Sequence, residues 1–534
     1  MNRYISLIAA AFCALTPAKV HSQSSDNGKV DFYKLQYAWY LISTFYVDTI
    51  NQSRMAEDAI VGMLEKLDPH SSYVTAKELK SLNEPLEGSF EGIGIEFSIQ
   101  KDTLHVVNTI SGGPSEKVGL RSNDRIVRID GKNVAGIGID NAMVKSLLRG
   151  SKGSKVSLDV LRKGRETLSF TVTRDKIPIL SVDAAYMATP EVGFIKINRF
   201  GAKTYDEFRE ALQKLKRDGM KSLIIDLRGN GGGYLKAAFD IANELMVKDR
   251  MIVFTKGKAN QAMEFKSTGS GIFCNEPLVV LVDESTASSS EILSGAIQDW
   301  DRGVIVGVRT FGKGLVQRPF SLPDGSEIRL TTAKYYTPSG RCIQKPYTRG
   351  SAAKYQEEIY RRYTNGELLN QDSIKHIDSL MFKTLVHGRK VYGGGGIIPD
   401  VFVPIDTTKT SGLHQKLLRS GTIHRFAVTL YENGEAQWKQ YPDIESFKNG
   451  YAVTDSVLEQ LASEAAVDKV ECTVGQLRAE SLLPVQLKAL LAQRIFGTSS
   501  FYEIINPEID SYRKALEIIT DKSQYNALLK GKVK

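Results

Sequence analysis

Apolar positions change period along the chain, and each change marks a different kind of structure. From Phe32 to about Leu82 the spacing is helical. Tyr33, Leu35, Tyr37, Leu41, Phe45 and Tyr46 share one face, and Met55 to Leu67 predicts a second helix. Asp68-Pro69 stops it, because the residue before a proline avoids helical backbone. Between residues 88 and about 175 the pattern becomes short and alternating: Ile93 to Phe97, Thr103 to Val107, Arg125 to Ile129, Val156 to Arg162 and Thr167 to Val172. Asp130-Gly131 marks a turn and Asn141 to Leu148 a helix. Further on, the runs Val192 to Ile197, Leu223 to Leu227, Leu278 to Val282 and Val304 to Val308 are continuously apolar. Helical stretches separate them: Tyr205 to Leu215, Leu235 to Met246 and Ser289 to Asp299. Apolar strands between helices predict a mainly parallel sheet covered on both faces. Ala352 to Val386 reads as a charged helical insertion. The glycine run 393–396 reads as a loop feeding a strand through Ile397 to Val403. From about Asp406 onward the pattern is mixed and then helical, without repeats.

With 534 residues, 42% of them hydrophobic, the chain has material for two to four domains. The pattern divides it into a helical region at 28–84, a β-rich domain at 88–175, an α/β core at 176–405 with its insertion near 350–390, and an extension at 406–534. The net charge of +9 is spread over interspersed acids and bases with no Lys/Arg block, so nucleic acid is not an expected partner. Arg3, the short apolar stretch Ile5 to Leu15, and Val20-His21-Ser22 before Gln23 fit a signal peptide over residues 1–22. Phe12 is too bulky for a lipid-anchoring signal at Cys13. No later run reaches the roughly 18 apolar residues of a membrane span, so the mature protein is expected to be exported, in the periplasm or cell envelope or secreted. Cleavage leaves Cys274, Cys342 and Cys472, which make no disulfide framework. The seven histidines are scattered without metal-ligand spacing, so neither metal nor organic cofactor is expected.

Candidate chemistry gathers at the carboxyl ends of the apolar strands, where open parallel sheets place reactive groups. Ser288 follows Leu278 to Val282 and begins a helix. Ser288 and Glu291 form Ser-x-x-Glu, which standing alone reads first as a helix-capping box. Backbone N–H groups at a helix start also favour negative charge, so the Ser289 amide is a candidate oxyanion donor. Lys313, in Phe311-Gly312-Lys313-Gly314, follows Val304 to Val308. A buried lysine loses its charge and becomes a base able to activate a serine. The rival reading of Lys313 is a phosphate-binding loop starting at Gly307. It fails at Gly314, which has no hydroxyl for magnesium. Asp226-Leu227-Arg228-Gly229-Asn230-Gly231-Gly232-Gly233 misses the dinucleotide spacing at Tyr234. It is either a plain turn or, through Gly232 and Gly233, a second set of oxyanion donors. No histidine lies between His105 and His376, and Ser288 has no Gly-x-Ser-x-Gly context, so a Ser-His-Asp site is disfavoured.

Taken together these motifs resemble those of the C-terminal processing peptidases, also called tail-specific proteases. The likeness runs through Asp68-Pro69-His70-Ser71-Ser72-Tyr73, Asp226 to Gly233, Ser285 to Gln298, Arg309 to Gln317, Leu322 to Gln344 with Lys334 to Arg341 its most characteristic part, and Gly396 to Asp400. The 88–175 segment resembles a PDZ domain in Gly92-Ile93-Gly94-Ile95, Gly119 to Ile126 and Ile129-Asp130-Gly131. Asn123 stands where that family commonly has glycine. The resemblance implies a crotonase/ClpP-like α/β protease core with an inserted PDZ-like domain and helical regions at both ends. It also implies that Ser288 is the nucleophile, Lys313 the general base and Gln317 the residue orienting the lysine. Four positions separate Lys313 from Gln317, so on a helical turn their side chains meet. The expected partners are proteins or peptides with free C-termini, held at Gly92, Ile93, Gly94 and Ile95 by a nest of N–H groups. A homo-oligomer is also among the expected assemblies. The alternative is a non-catalytic PDZ scaffold on a protease fold.

Overall fold

The computed structural model describes residues 26–100, 102–110, 112–162, 166–259 and 262–532. The expected signal peptide lies outside the described residues. The chain forms two compact units, Met1–Leu64 and Glu65–Lys534. In the first, Asp26–Phe45 is a helix, and a second helix begins at Gln52. No described helix is long and apolar enough to cross a membrane.

The second unit is built on a six-stranded sheet. Its strands are ordered Val182–Met187, Val192–Ile197, Ser222–Asp226, Leu278–Val282, Val304–Gly307 and Val401–Phe402. Only the first pair is antiparallel. Alternate residues point to opposite faces, and both faces are buried. Ile195, Ile197, Ile225, Val280 and Ile305 pack on one side with Phe208, Leu212, Ile241, Leu293 and Ile297 from three crossover helices. Phe194, Ile224, Val279, Leu281 and Val306 pack on the other with Tyr512, Ala515, Ile518 and Ile519. The last helices of the chain, Asp510–Thr520 and Lys522–Leu529, therefore complete the core.

A second, antiparallel sheet centres on the long strand Glu327–Tyr336, which pairs with Leu315–Ser321, Met251–Lys256 and Ser72–Val74. Ser72–Val74 is a strand inside a stretch whose periodicity predicts helix; pairing with Glu327 to Arg329 overrides the local signal. The expected helical insertion is also corrected. Only Ala352–Thr364 is α-helical, and Met381–Lys383 and Lys390–Tyr392 form a β-hairpin.

The small domain is a separate sheet ordered Ile95–Gln100, Thr103–Thr109, Arg125–Ile129, Lys155–Arg162 and Glu166–Thr173, around its own core. Ser89–Gly92 and Asp175–Pro178 pair as the chain enters and leaves it. That closure makes it an insertion between helix Ala76–Glu87 and the six-stranded sheet. Residues 412–505 form a helical body with its own apolar clusters.

Candidate active site

Ser288 and Lys313 stand at the carboxyl ends of neighbouring strands, and each is positioned by backbone bonds. Ser288 sits at the N-cap of helix Ser289–Asp299 with φ 57° and ψ −116°. A non-glycine residue there stores on the order of 1–3 kcal/mol of strain. Ser288 and Glu291 face each other in the expected capping-box register. Glu291 Oε2 accepts the Ser288 N–H at 2.8 Å, while the Glu291 N–H goes to the Ser288 carbonyl at 2.8 Å.

The glycine loop after Asp226 presses against this turn. Gly232 has φ +102°, and a Cβ there would lie 2.7 Å from the Ser288 Cβ. Asn230 fastens the loop. Its carbonyl accepts from the Ala287 N–H at 3.0 Å and the Ser290 hydroxyl at 2.9 Å. Its Oδ1 accepts the Gly232 N–H at 2.9 Å. Gly232, expected as an oxyanion donor, thus has its N–H committed to Asn230; its role here is close approach. The N–H groups of Gly233 and Ser289 have no hydrogen-bond partner among the described residues. Both residues line the same cleft.

Lys313 lies in the loop after Val304–Gly307. Thr310 and Phe311 donate their N–H groups to Ile397 O and Thr286 O, at 3.0 and 2.9 Å. Gly312 donates to Glu291 Oε1 at 2.7 Å, and Lys313 to Glu291 Oε2 at 2.9 Å. The Thr310 hydroxyl adds a fourth bond to the same carboxylate at 2.5 Å. Glu291 is fully buried, and burial pushes its carboxyl upward against these hydrogen bonds. The Tyr335 hydroxyl reaches the Ser288 carbonyl at 3.0 Å and also the Lys313 carbonyl. Nothing in the spacing flags Tyr335, and Glu291 is visible in the sequence only as a cap.

Ser288, Lys313 and Gln317 line one cleft of about 410 Å³, with Tyr234, Ile292 and Arg329. Burial holds the Lys313 ammonium below its ordinary range. Glu291 and Asp68 oppose that shift, and Arg329 adds to it. Gln317 does not meet Lys313 across a helical turn. It lies on strand Leu315–Ser321, where a bulge between Val316 and Gln317 sets it opposite Thr331. Bulges re-aim side chains beside functional sites.

Asp68 and His70 are coupled electrostatically to Lys313, and the His70 Nε2 lies 3.1 Å from the Tyr355 hydroxyl. Burial, the positive Lys313 and Lys345 depress His70 to about 4, with Asp68 opposing. In the small domain, Gly92, Ile93 and Gly94 are buried and lead into Ile95. Gly94 has φ +74°. Ile95 starts the outermost strand of its sheet, Ile95–Gln100, which pairs along one side with Thr103–Thr109. No group of three or more His, Cys, Asp or Glu side chains fit to hold a metal occurs among the described residues.

Known families match four stretches. Peptidase family S41 matches residues 191–350, and the PDZ domain matches residues 92–182. The activating protease CtpB N-terminal domain matches 8–78, and a family of unknown function matches 413–497. The chain is 34% identical over 381 residues to the carboxy-terminal processing protease CtpB of Bacillus subtilis, covering 69% of this chain and 78% of that one. It is 34% identical over 324 residues to CtpA of the same organism, covering 60% and 69%. It is 33% identical over 355 residues to the carboxy-terminal-processing protease of Bartonella bacilliformis, covering 64% and 80%.

Proposed function

The chain belongs to the carboxy-terminal processing proteases of peptidase family S41, and we propose from that premise that it is an exported enzyme cleaving by acyl transfer through Ser288 and Lys313. One observation carries the reading. A single buried carboxylate, Glu291, accepts the backbone N–H of both Ser288 and Lys313 in a cleft both residues line.

Neutral Lys313 takes the Ser288 hydroxyl proton as Oγ attacks the scissile carbonyl. The N–H groups of Gly233 and Ser289 hold the resulting oxyanion. The Lys313 ammonium then gives its proton to the leaving amine, and the C–N bond breaks, leaving an ester on Ser288. Water, deprotonated by Lys313, attacks that ester; the carboxylic acid leaves and Ser288 regains its proton. Gln317 orients the lysine. The PDZ domain adds the substrate tail to the open edge of Ile95–Gln100 and takes its terminal carboxylate near Gly92 to Ile95. This is the part that selects proteins by their free C-termini.

Fluorophosphonate labelling tests the chemistry. Ser288 is expected to be phosphonylated in the unaltered protein, and labelling is expected to disappear in Ser288→Ala and Lys313→Ala. Undiminished labelling and peptide cleavage in Lys313→Ala would overturn the proposal.

A further inference from the structure

We propose that Asp68 is a positioning residue for the Lys313 base, acting through the Thr331 hydroxyl on the Gln317 side-chain amide. The inference rests on the Ser288–Lys313 reading and deepens it.

Asp68 lies in the turn before strand Ser72–Val74 and is 7% exposed. Its Oδ1 accepts from the N–H of His70 at 2.9 Å, the N–H of Ser71 at 3.0 Å and the Thr331 hydroxyl at 3.0 Å. Its Oδ2 accepts from the Ser71 hydroxyl at 2.6 Å. Ser71 Oγ in turn accepts the Thr331 N–H at 3.1 Å. Thr331 is therefore held from its backbone and its side chain by the same turn. Burial works against the Asp68 charge, but these hydrogen bonds keep its carboxyl below the usual range, so it is ionised and accepts only.

That fixes a proton and, through it, an amide. The Thr331 hydroxyl has one hydrogen, and it goes to Asp68. Toward Gln317 the hydroxyl can only accept. The Gln317 Nε2 atom lies 3.5 Å from Thr331 Oγ1, a long contact that requires the NH₂ end of the amide to face Thr331. Oε1 is then the end free to receive an N–H from Lys313. Were Thr331 free to rotate its hydroxyl, either end of the amide would fit, and the lysine would lose a defined acceptor. The β-bulge supplies the remaining requirement: it places Gln317 opposite Thr331 rather than Thr332.

Asp68 also acts on Lys313 through space. The charged groups acting on Lys313 are Glu291 from the helix after Ser288, Asp68 from the turn and Arg329 from strand Glu327–Tyr336; His70, from the same turn, is neutral and its Nε2 meets the Tyr355 hydroxyl. Removing the Asp68 charge leaves the ammonium less stabilised, so the acidic limb of kcat/KM is expected to move to lower pH.

The test is a double-mutant cycle on the full chain, with kcat/KM for a peptide measured against pH and melting followed in parallel. Thr331→Val should lower kcat about tenfold or more, and Thr331→Ser should restore it. On a Gln317→Ala background Thr331→Val should cost nothing further, because the two act as one unit. Asp68→Asn should shift the acidic limb downward. Additive losses in the cycle, or an Asp68→Asn enzyme with an unmoved limb, would overturn the proposal. If Asp68→Asn does not fold, an additive cycle still overturns the proposal, because the path from Asp68 to Gln317 runs through Thr331. Lys313→Ala is measured beside it: an active Lys313→Ala enzyme sinks the dyad and this proposal together. An inactive one with an additive cycle sinks only the role of Asp68.

Discussion

Glu291→Gln is the sharpest perturbation of the site, because one carboxylate organises both reacting residues. Oε1 accepts from Thr310 Oγ1 and Gly312 N, and Oε2 from Ser288 N and Lys313 N, at 2.5 to 2.9 Å. Glutamine keeps one oxygen. Whichever way its amide turns, an NH₂ group faces two donors, and at least the backbone N–H groups among them cannot turn away. Two bonds to a charged acceptor are worth about 1.5–3 kcal/mol each, about 3–6 kcal/mol together. Removing a buried charge returns part of this. A net loss of roughly 2–4 kcal/mol is expected, seen as a drop of several degrees in melting of the core. The kinetic effect should be larger, because the Ser288 and Lys313 loops lose their common anchor; misplacement on the order of 1 Å costs about 100-fold. The variant that remains folded should also show its acidic limb at lower pH, since Glu291 opposes the lowering of Lys313. Thermal melting and kcat/KM against pH read both effects. Wild-type melting and activity in Glu291→Gln would refute the idea that this carboxylate braces the pair.

The dyad predicts that Ser288→Ala and Lys313→Ala each abolish cleavage, and that the double variant is no worse than either; peptide turnover checks it. Activity should rise with pH as Lys313 becomes neutral, and Lys313→Arg should be inactive, because arginine does not deprotonate. Gly232→Ala should be nearly inactive, since its Cβ would meet the Ser288 Cβ at 2.7 Å and φ is +102°; an active, folded variant would contradict that crowding. A peptide with a free C-terminus should be cut better than its amidated twin, and deletion of 88–175 should erase the difference. Stability should fall in acid. His70 and His105 are held near 4 from an ordinary 6.5, each mainly by burial. Their neutral forms stabilise the fold fully above about pH 6.5 and progressively less down to about 4; melting of His70→Gln and His105→Gln against pH should show a flatter profile.

Legibility in the sequence followed the range of the interaction. Leu278–Val282 and Ser289–Asp299 are read correctly to the residue, because a strand buried on both faces is uniformly apolar and the helix after it is continuous. The α/β core is legible for the same reason, whereas the inserted domain shows through short alternating strands and its PDZ-like motifs. The second sheet is not. Met251–Lys256 and Glu327–Tyr336 are only partly buried, and their polar residues blur the alternation. Gln317 shows the limit most clearly. Its spacing from Lys313 fits a helical turn, yet the geometry that places it is a bulge, and a bulge exists only in the register between two strands. The Asp68–Thr331 bond joins residues far apart in sequence, so no local period carries it.

The C-terminal helices extend this argument from the site to the fold. Residues 406–534 fall outside the matching motifs, which makes the whole segment read as an appendage. The apolar strand faces nevertheless demand cover on both sides. The crossover helices contribute Phe208, Ile241 and Leu293 to one side only. Tyr512, Ala515, Ile518 and Ile519 supply the other, so helix Asp510–Thr520 belongs to the protease core in packing though it lies far from it in sequence. Two contacts connect this helix and the turn Asn506–Glu508 before it to the glycine loop as well. Arg228, just before that loop, pairs with Asp226 and donates to Ser511 Oγ at 3.0 Å and Asn506 Oδ1 at 3.3 Å. The end of the chain therefore supports the loop that presses on Ser288. A truncation before Asn506 would strip one face of the sheet and loosen that loop together, whereas an appendage would be removable without either loss.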